Sequence, residues 1–241
     1  MVDACFADPR LAVLYDALDG ERDDLELYLA IAAEVGARSV LDVGCGTGSL
    51  ACQMARQGRK VTAIDPAPAS VAIARDKPFA DRVRWIVGGV EAYDGRPVDL
   101  ITMTANVAQV FLEDEEWDRC LRACQRSLRA GGWLVFETRD PQRHAWRAWT
   151  PERTRRCTVA AGGGKVSAWC TVTEVDLPLV SFRWIYTFER DGTVLTSDST
   201  VRFRESQELS EDLSAHGFAL NEIRDAPERP GAQLVCLAQR E

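Results

Sequence analysis

Val40-Leu41-Asp42-Val43-Gly44-Cys45-Gly46-Thr47-Gly48 runs from an apolar strand through an acid into a tight glycine turn. Glycines at alternate positions let the backbone turn sharply and approach a ligand closely, because none carries a Cβ. The helix expected next, Ser49 to Gln57, would point its free N–H groups at whatever polar group the loop holds. A buried strand, a crowded loop and an acid just before it suit a nucleotide-like ligand with a cationic end.

The spacing separates two ligands. A dinucleotide fingerprint reads Gly-x-Gly-x-x-Gly, but its third glycine position is Ser49 here and the glycine comes one residue early, at Gly48. A carboxylate at Asp42 would repel a pyrophosphate, yet it could pair with an ammonium. S-adenosylmethionine (SAM) carries an ammonium and no phosphate. The pattern Asp-Val-Gly-Cys-Gly-Thr-Gly closely resembles motif I of the class I SAM-dependent methyltransferases, of the small-molecule type.

The resemblance extends, less specifically, over about residues 10 to 140, and it implies a set of cofactor contacts. Asp42, Gly44, Cys45, Gly46 and Gly48 would lie against the methionine part of SAM. Lys60 to Pro66 reads as a second strand ending in an acid, so Asp65 is the expected ribose ligand, with Pro66 and Ala67 bordering the adenine. Capping the helix near Pro68 is the plainer role for the same acid. The family places an acid after the third strand, on the adenine amino group. The matching position here is Gly89, so either Glu91 reaches back or the backbone of Gly89 and Val90 holds the ring. In the segment Met103 to Phe111, Thr104 and Ala105 would flank the sulfonium, while Asn106 reads equally as pocket lining or as a helix cap. Tyr15 and Tyr28, around an amphipathic helix from Asp23 to Val35, read as cofactor cover or as ordinary packing.

Outward from the loop the chain alternates strand and helix. Val83–Val87, Val98–Met103 and Trp133–Glu137 read as strands, and Glu113–Arg129 as a helix with one apolar stripe at Trp117, Cys120, Leu121, Cys124 and Leu128. These units predict an α/β fold with a doubly wound, mainly parallel seven-stranded sheet. Past Asp140 a Trp- and Arg-rich stretch, expected helical, leads into strand-like runs at 154–161, 165–177, 180–190 and 193–204. Asp191-Gly192 between alternating runs signals a hairpin. Phe182, Trp184, Tyr186 and Phe188 share one face that either lines the pocket or packs on the domain, with packing the commoner role for alternating strand aromatics. Glu205–His216 returns as a helix, and 218–225 and 234–238 as the last strands. The organisation is thus an N-terminal helical cap (1–38), a Rossmann-like SAM-binding core (39–150 and 205–241) and an antiparallel β insertion forming a substrate lid (151–204).

Composition bounds the function. The 241 residues, 46% hydrophobic, suffice for one enzyme-sized domain, and no apolar run approaches the ~20 residues that span a bilayer. Met1 to Arg10 lacks the apolar core of a signal peptide. A net charge of −8 gives little support to nucleic-acid binding, so no nucleic-acid or membrane partner is expected. The eight cysteines include no Cys-x-x-Cys pair, which points to free thiols in a reducing cytoplasm and to no metal site. Three lysines among 29 basic residues suit a high-GC bacterial genome.

The expected activity is methyl transfer from SAM to an oxygen or nitrogen of a small molecule by direct displacement, in a monomer or homodimer. Alignment and exclusion of water would be the protein's main work. Glu137, at the end of the fifth strand, and His144 are the general-base candidates, whereas His216 reads as the end of a helix before Gly217. The alternatives are a SAM-binding sensor or subunit without transfer, an RNA or protein methyltransferase, and a dinucleotide oxidoreductase.

Overall fold

In the computed structural model, which describes residues 2–20, 22–160, 163–226 and 233–241, the run before the glycine turn is strand β1 (Ser39–Val43). It pairs in parallel with β2 (Lys60–Asp65) on one side and β4 (Val98–Met103) on the other. The full order is β10-β11-β5-β4-β1-β2-β3, with β3 at Val83–Val87, β5 at Leu128–Thr138, β10 at Phe218–Asp225 and β11 at Leu234–Arg240. β11 runs antiparallel to both its neighbours, while β2–β3 and β4–β5 are parallel. Because the chain leaves β1 toward β2 and later returns to its other side, β1 and β4 flank the switch point. Ligands of open α/β sheets bind at the carboxyl ends of such strands.

Alternation along β1 builds two cores. Leu41 and Val43 join Trp117, Cys120, Leu121 and Cys124 of α7 (Asp114–Ser127) and Leu209 and Leu213 of α9 (Ser206–Ala215). Val40 joins Leu25, Leu29 and Ile31 of α4 (Asp24–Glu34) and Leu50 and Met54 of α5 (Ser49–Arg56) on the opposite face. Helix α4 is therefore a layer of the core rather than part of a separate cap. Among the described N-terminal helices, α1 (Ala4–Ala7), α2 (Pro9–Ala12) and α3 (Tyr15–Asp19) contribute to neither of these two cores. Helix α6 (Pro68–Arg75) completes the layers beside β2.

The insertion is a four-stranded antiparallel sheet, β6-β7-β8-β9, at Arg156–Val159, Lys165–Asp176, Leu179–Phe188 and Val194–Arg202. Its first run starts later than expected. Pro151 opens a short helix α8 (Pro151–Thr154), a position where its missing N–H costs nothing. Thr154 Oγ1 donates back to Thr150 O at 2.6 Å and accepts from Cys170 N at 2.8 Å. Ala161 and Gly162 of the expected strand and turn lie outside the described residues. The Trp- and Arg-rich stretch is no continuous helix: 3-10 turns at Pro141–Arg143 and Ala145–Ala148 are separated by His144 at φ 49°.

The insertion is fastened at both ends. Cys5, Leu11 and Leu14 pack with Val166, Ala168, Tyr186 and Phe188, and Ser199 Oγ donates to Asp3 at 2.5 Å. At the other end the buried Arg204 donates to the carbonyls of Ala108 (3.1 Å) and Phe111 (2.8 Å). No helix among the described residues is long and apolar enough to cross a membrane.

Asp99 pins the far end of the core strands. Its Oδ2 accepts the N–H groups of Arg38 and Ser39, each at 2.9 Å, and its Oδ1 accepts from Arg129 Nε at 2.6 Å. Burial opposes ionisation, but the Arg129 guanidinium and the N–H groups hold the carboxyl well below the usual range. A carboxylate with a depressed folded pKa stabilises above its unfolded pKa of about 3.9 and loses that contribution as pH falls. Asp99→Asn should cost about 1–3 kcal/mol at pH 7, because the carboxamide turns a donor toward donors. Urea melts should show this gap narrowing below pH 4; a gap that persists unchanged in acid would contradict the ionic account.

Candidate functional site

The glycine turn closes the carboxyl end of β1 in a conformation only glycine fits. Gly44 (φ +69°) and Gly48 (φ +77°) are left-handed, and a Cβ on them would fall 2.3 Å from Val107 and 2.4 Å from Trp85. Between them, Gly46 N–H donates to Asp65 Oδ2 at 2.8 Å, while Asp65 Oδ1 accepts Ala67 N–H at 2.8 Å. The expected ribose acid thus also fixes the loop, and it caps the turn leading into α6. Each of its oxygens holds one hydrogen bond from these groups and keeps acceptor capacity.

Asp42 is buried beneath this turn. Its Oδ1 accepts from Thr102 Oγ1 at 2.8 Å, and its Oδ2 is buried with no hydrogen-bond partner. Burial pushes its pKa up to about 7, reinforced by the Asp65 charge and opposed by Thr102 and by Arg22. An unpartnered buried carboxylate oxygen is costly in a folded chain.

The N-terminal segment lies over the loop. Asp16 accepts from Thr47 Oγ1 at 2.5 Å and from Lys77 Nζ at 2.6 Å, and Lys77 also reaches Thr47 (3.1 Å) and Ser49 (2.8 Å). Sequence reading missed this cluster because its members are about 30 residues apart and belong to no pattern.

Beyond the ends of β4 and β5 a cavity of about 980 Å³ opens between the core, the N-terminal helices and the β insertion. Its floor includes Ala105, Asn106, Tyr28 and Glu137. Ala105 (φ 54°) and Asn106 (φ 64°) are consecutive left-handed non-glycine residues, a strained pairing of the sort found at functional sites. Glu137 is 4% exposed and accepts from Tyr28 Oη at 2.5 Å. Burial raises the Glu137 pKa above the usual carboxylate range, against the lowering effects of the Tyr28 hydroxyl, the Arg139 charge and the Asn106 N–H. Burial and the Glu137 charge also push the Tyr28 phenol up.

Of the expected site residues, Tyr15, Ala105, Glu137 and His144 line this cavity. Tyr15 packs against Phe6, at 5.5 Å between ring centroids, and His144 stands edge-on to Trp146 at 5.1 Å. Asn106 is a lining residue and makes no side-chain cap: its Oδ1 is buried without a partner. Asp42, Gly44, Cys45, Gly46, Gly48, Asp65, Pro66 and Thr104 gather at the adjoining strand ends. Burial raises the Cys45 thiol well above its ordinary range, which keeps it inert. Val90 is buried in the core, and Glu91 folds back so that its Oε2 would lie 2.5 Å from a Cβ on Gly89. The aromatic row does not simply pack. Phe182, Trp184 and Tyr186 line the cavity, the less favoured of the two sequence readings, because packing and lining share one alternation.

Comparison with known proteins agrees with this arrangement. Residues 40–132 match the family model described as methyltransferase domain. The ubiquinone biosynthesis O-methyltransferase of Sodalis glossinidius is 31% identical over 128 residues, covering 51% of this chain and 49% of that protein. The chain spans about half the length, or less, of the curated relatives it matches. The CcbJ methyltransferase from Streptomyces caelestis superposes with a TM-score of 0.78 at 20% identity, over 96% of both chains. An amino pentose methyltransferase from Micromonospora echinaspora, solved with SAM bound, gives 0.69 at 21% identity over 93% of this chain and 94% of that one. The fold is that of the class I methyltransferases, and the seven-stranded sheet with its separate antiparallel sheet is as the sequence predicts.

The buried acid has a measurable signature. Asp42 ionises at about 7 in the folded chain and at about 3.9 unfolded. Its raised pKa therefore destabilises the fold progressively as pH rises from the lower value to the higher. Asp42→Asn should be close to neutral near pH 4 and more stable than wild type above pH 7, by up to about 4 kcal/mol. Thermal melts across this range check it, and a variant equally destabilised at both ends would contradict it.

Proposed function

We propose that this chain moves a methyl group from SAM to an oxygen or nitrogen nucleophile of a small molecule by direct displacement. The observation that carries the reading is the unpartnered Asp42 oxygen beneath a left-handed glycine turn at the switch point. A buried carboxylate at that place suits an ammonium and opposes a pyrophosphate. The residues fit the cofactor. Asp42, Gly44, Cys45, Gly46 and Gly48 would hold its amino-acid end, and Asp65 its ribose. Pro66, Gly89 and Val90 would border the adenine, with Glu91 folded back in place of the missing acid. Thr104 and Ala105 would flank the sulfonium, under Tyr15.

When bound, SAM supplies a methyl already activated by its sulfonium. The chain's own residues align the acceptor and exclude water. The β insertion and α1–α3 act as the substrate lid. Glu137, held by Tyr28 and the Asn106 N–H, takes the acceptor's proton, with His144 as the second candidate at the cavity wall. This reading includes a bacterial cytoplasmic enzyme, a monomer or homodimer, acting without nucleic acid.

Tritium transfer from labelled SAM to a panel of small amines and alcohols tests the activity, and no transfer to any acceptor would favour a non-catalytic binding protein. With an acceptor in hand, Glu137→Gln should lower kcat by about 10²–10⁴-fold while leaving affinity for S-adenosylhomocysteine (SAH) unchanged. The acid limb of the wild-type profile should lie above the usual carboxylate range, as burial of Glu137 requires. An unchanged kcat would remove Glu137 from the chemistry.

A further inference from the structure

The cavity wall is divided by charge. Residues 139–156 contribute Arg139, Arg143, Arg147, Arg153 and Arg156 to it. Three of these are held: Arg139 by Gln109 (2.8 Å) and over Trp149, Arg156 by Asp19 (3.2 Å), and Arg143 by Asp140 (3.6 Å). Arg147 and Arg153 are exposed, and neither guanidinium has a hydrogen bond or ion pair among the described residues. The acids of the same cavity are mostly engaged. Asp19 and Asp24 pair with Arg22, Asp3 accepts from Ser199, and Glu137 accepts from Tyr28, leaving Asp23 exposed.

In a chain of net charge −8, two uncommitted guanidiniums on the wall of this cavity are a local reversal of sign. The same cavity is lined by the aromatic side chains of Trp149, Phe182 and Trp184 and by Glu137. A guanidinium binds carboxylate and phosphate by paired N–H donors. We infer that the methyl acceptor carries an anionic group, phosphate or carboxylate, which docks on Arg147 and Arg153 while its nucleophile faces Glu137. This rests on the methyltransferase reading above, since it assigns the acceptor end of that site. The cavity volume is within the range that holds a ligand of this size.

The test uses wild-type protein saturated with SAH, so that the cofactor's own carboxylate is already placed. Calorimetric titrations then compare tyramine with two anionic counterparts, 4-(2-aminoethyl)phenyl phosphate and 4-(2-aminoethyl)benzoate. At least one anionic probe should bind about tenfold or more tightly than tyramine. The advantage should shrink with added salt and disappear in the Arg147→Gln/Arg153→Gln variant. That variant should keep its melting temperature and SAH affinity, because both residues are exposed. Whichever anionic probe binds tighter identifies the group. Tyramine binding as tightly as the anions, an advantage that survives in the variant, or no anionic binding at all would each overturn the inference. Failure of SAH itself to bind would instead bring down the methyltransferase reading, and this inference with it.

Discussion

The structure depends on a steric constraint at the end of β1. Gly44 and Gly48 are left-handed, and Val107 and Trp85 stand where their Cβ atoms would be. The turn is thereby pressed against β3 and the segment after β4, with no room for another shape. Asp65 closes the turn from β2 by accepting Gly46 N–H. This brings two carboxylates, Asp42 and Asp65, to the switch point of the sheet, where an α/β fold receives its ligand.

From that point the rest follows as support or cover. Asp16 and Lys77 tie the N-terminal segment to the loop through Thr47 and Ser49. Arg204 ties the end of the β insertion to the segment after β4, through the carbonyls of Ala108 and Phe111. The cavity between these two covers therefore has a fixed floor and walls from separate parts of the chain. Its floor holds the strained Ala105–Asn106 pair and the buried Glu137.

Local periodicity made much of this legible. Strands at Val83–Val87 and Val98–Met103, the stripe of α7 from Trp117 to Cys124 and the hairpin at Asp191-Gly192 are each set by nearby residues, and they stand as expected. Leu128 of the expected stripe instead opens β5, which starts earlier than the expected Trp133. The Asp-x-Gly-x-Gly-x-Gly spacing likewise identifies the loop, because its chemistry is compressed into seven residues. Features that depend on distant partners were not legible. Nothing local distinguishes Tyr186, which both packs on the N-terminal helices and lines the cavity. The role of α4 as a core layer depends on the strands it meets, and Thr102 is marked as the partner of Asp42 only by the β1–β4 register. His144 escaped the expected helix by adopting a left-handed conformation that separates two turns.

The central claim is that the glycine turn and its two acids hold a sulfonium nucleoside rather than a dinucleotide. Titration calorimetry of SAH and of NAD into wild type and Asp65→Ala tests it most directly. The account predicts that SAH binds wild type, that the variant loses most of this affinity, and that NAD binds neither protein. NAD binding without SAH, or SAH affinity untouched by the loss of Asp65, would contradict it.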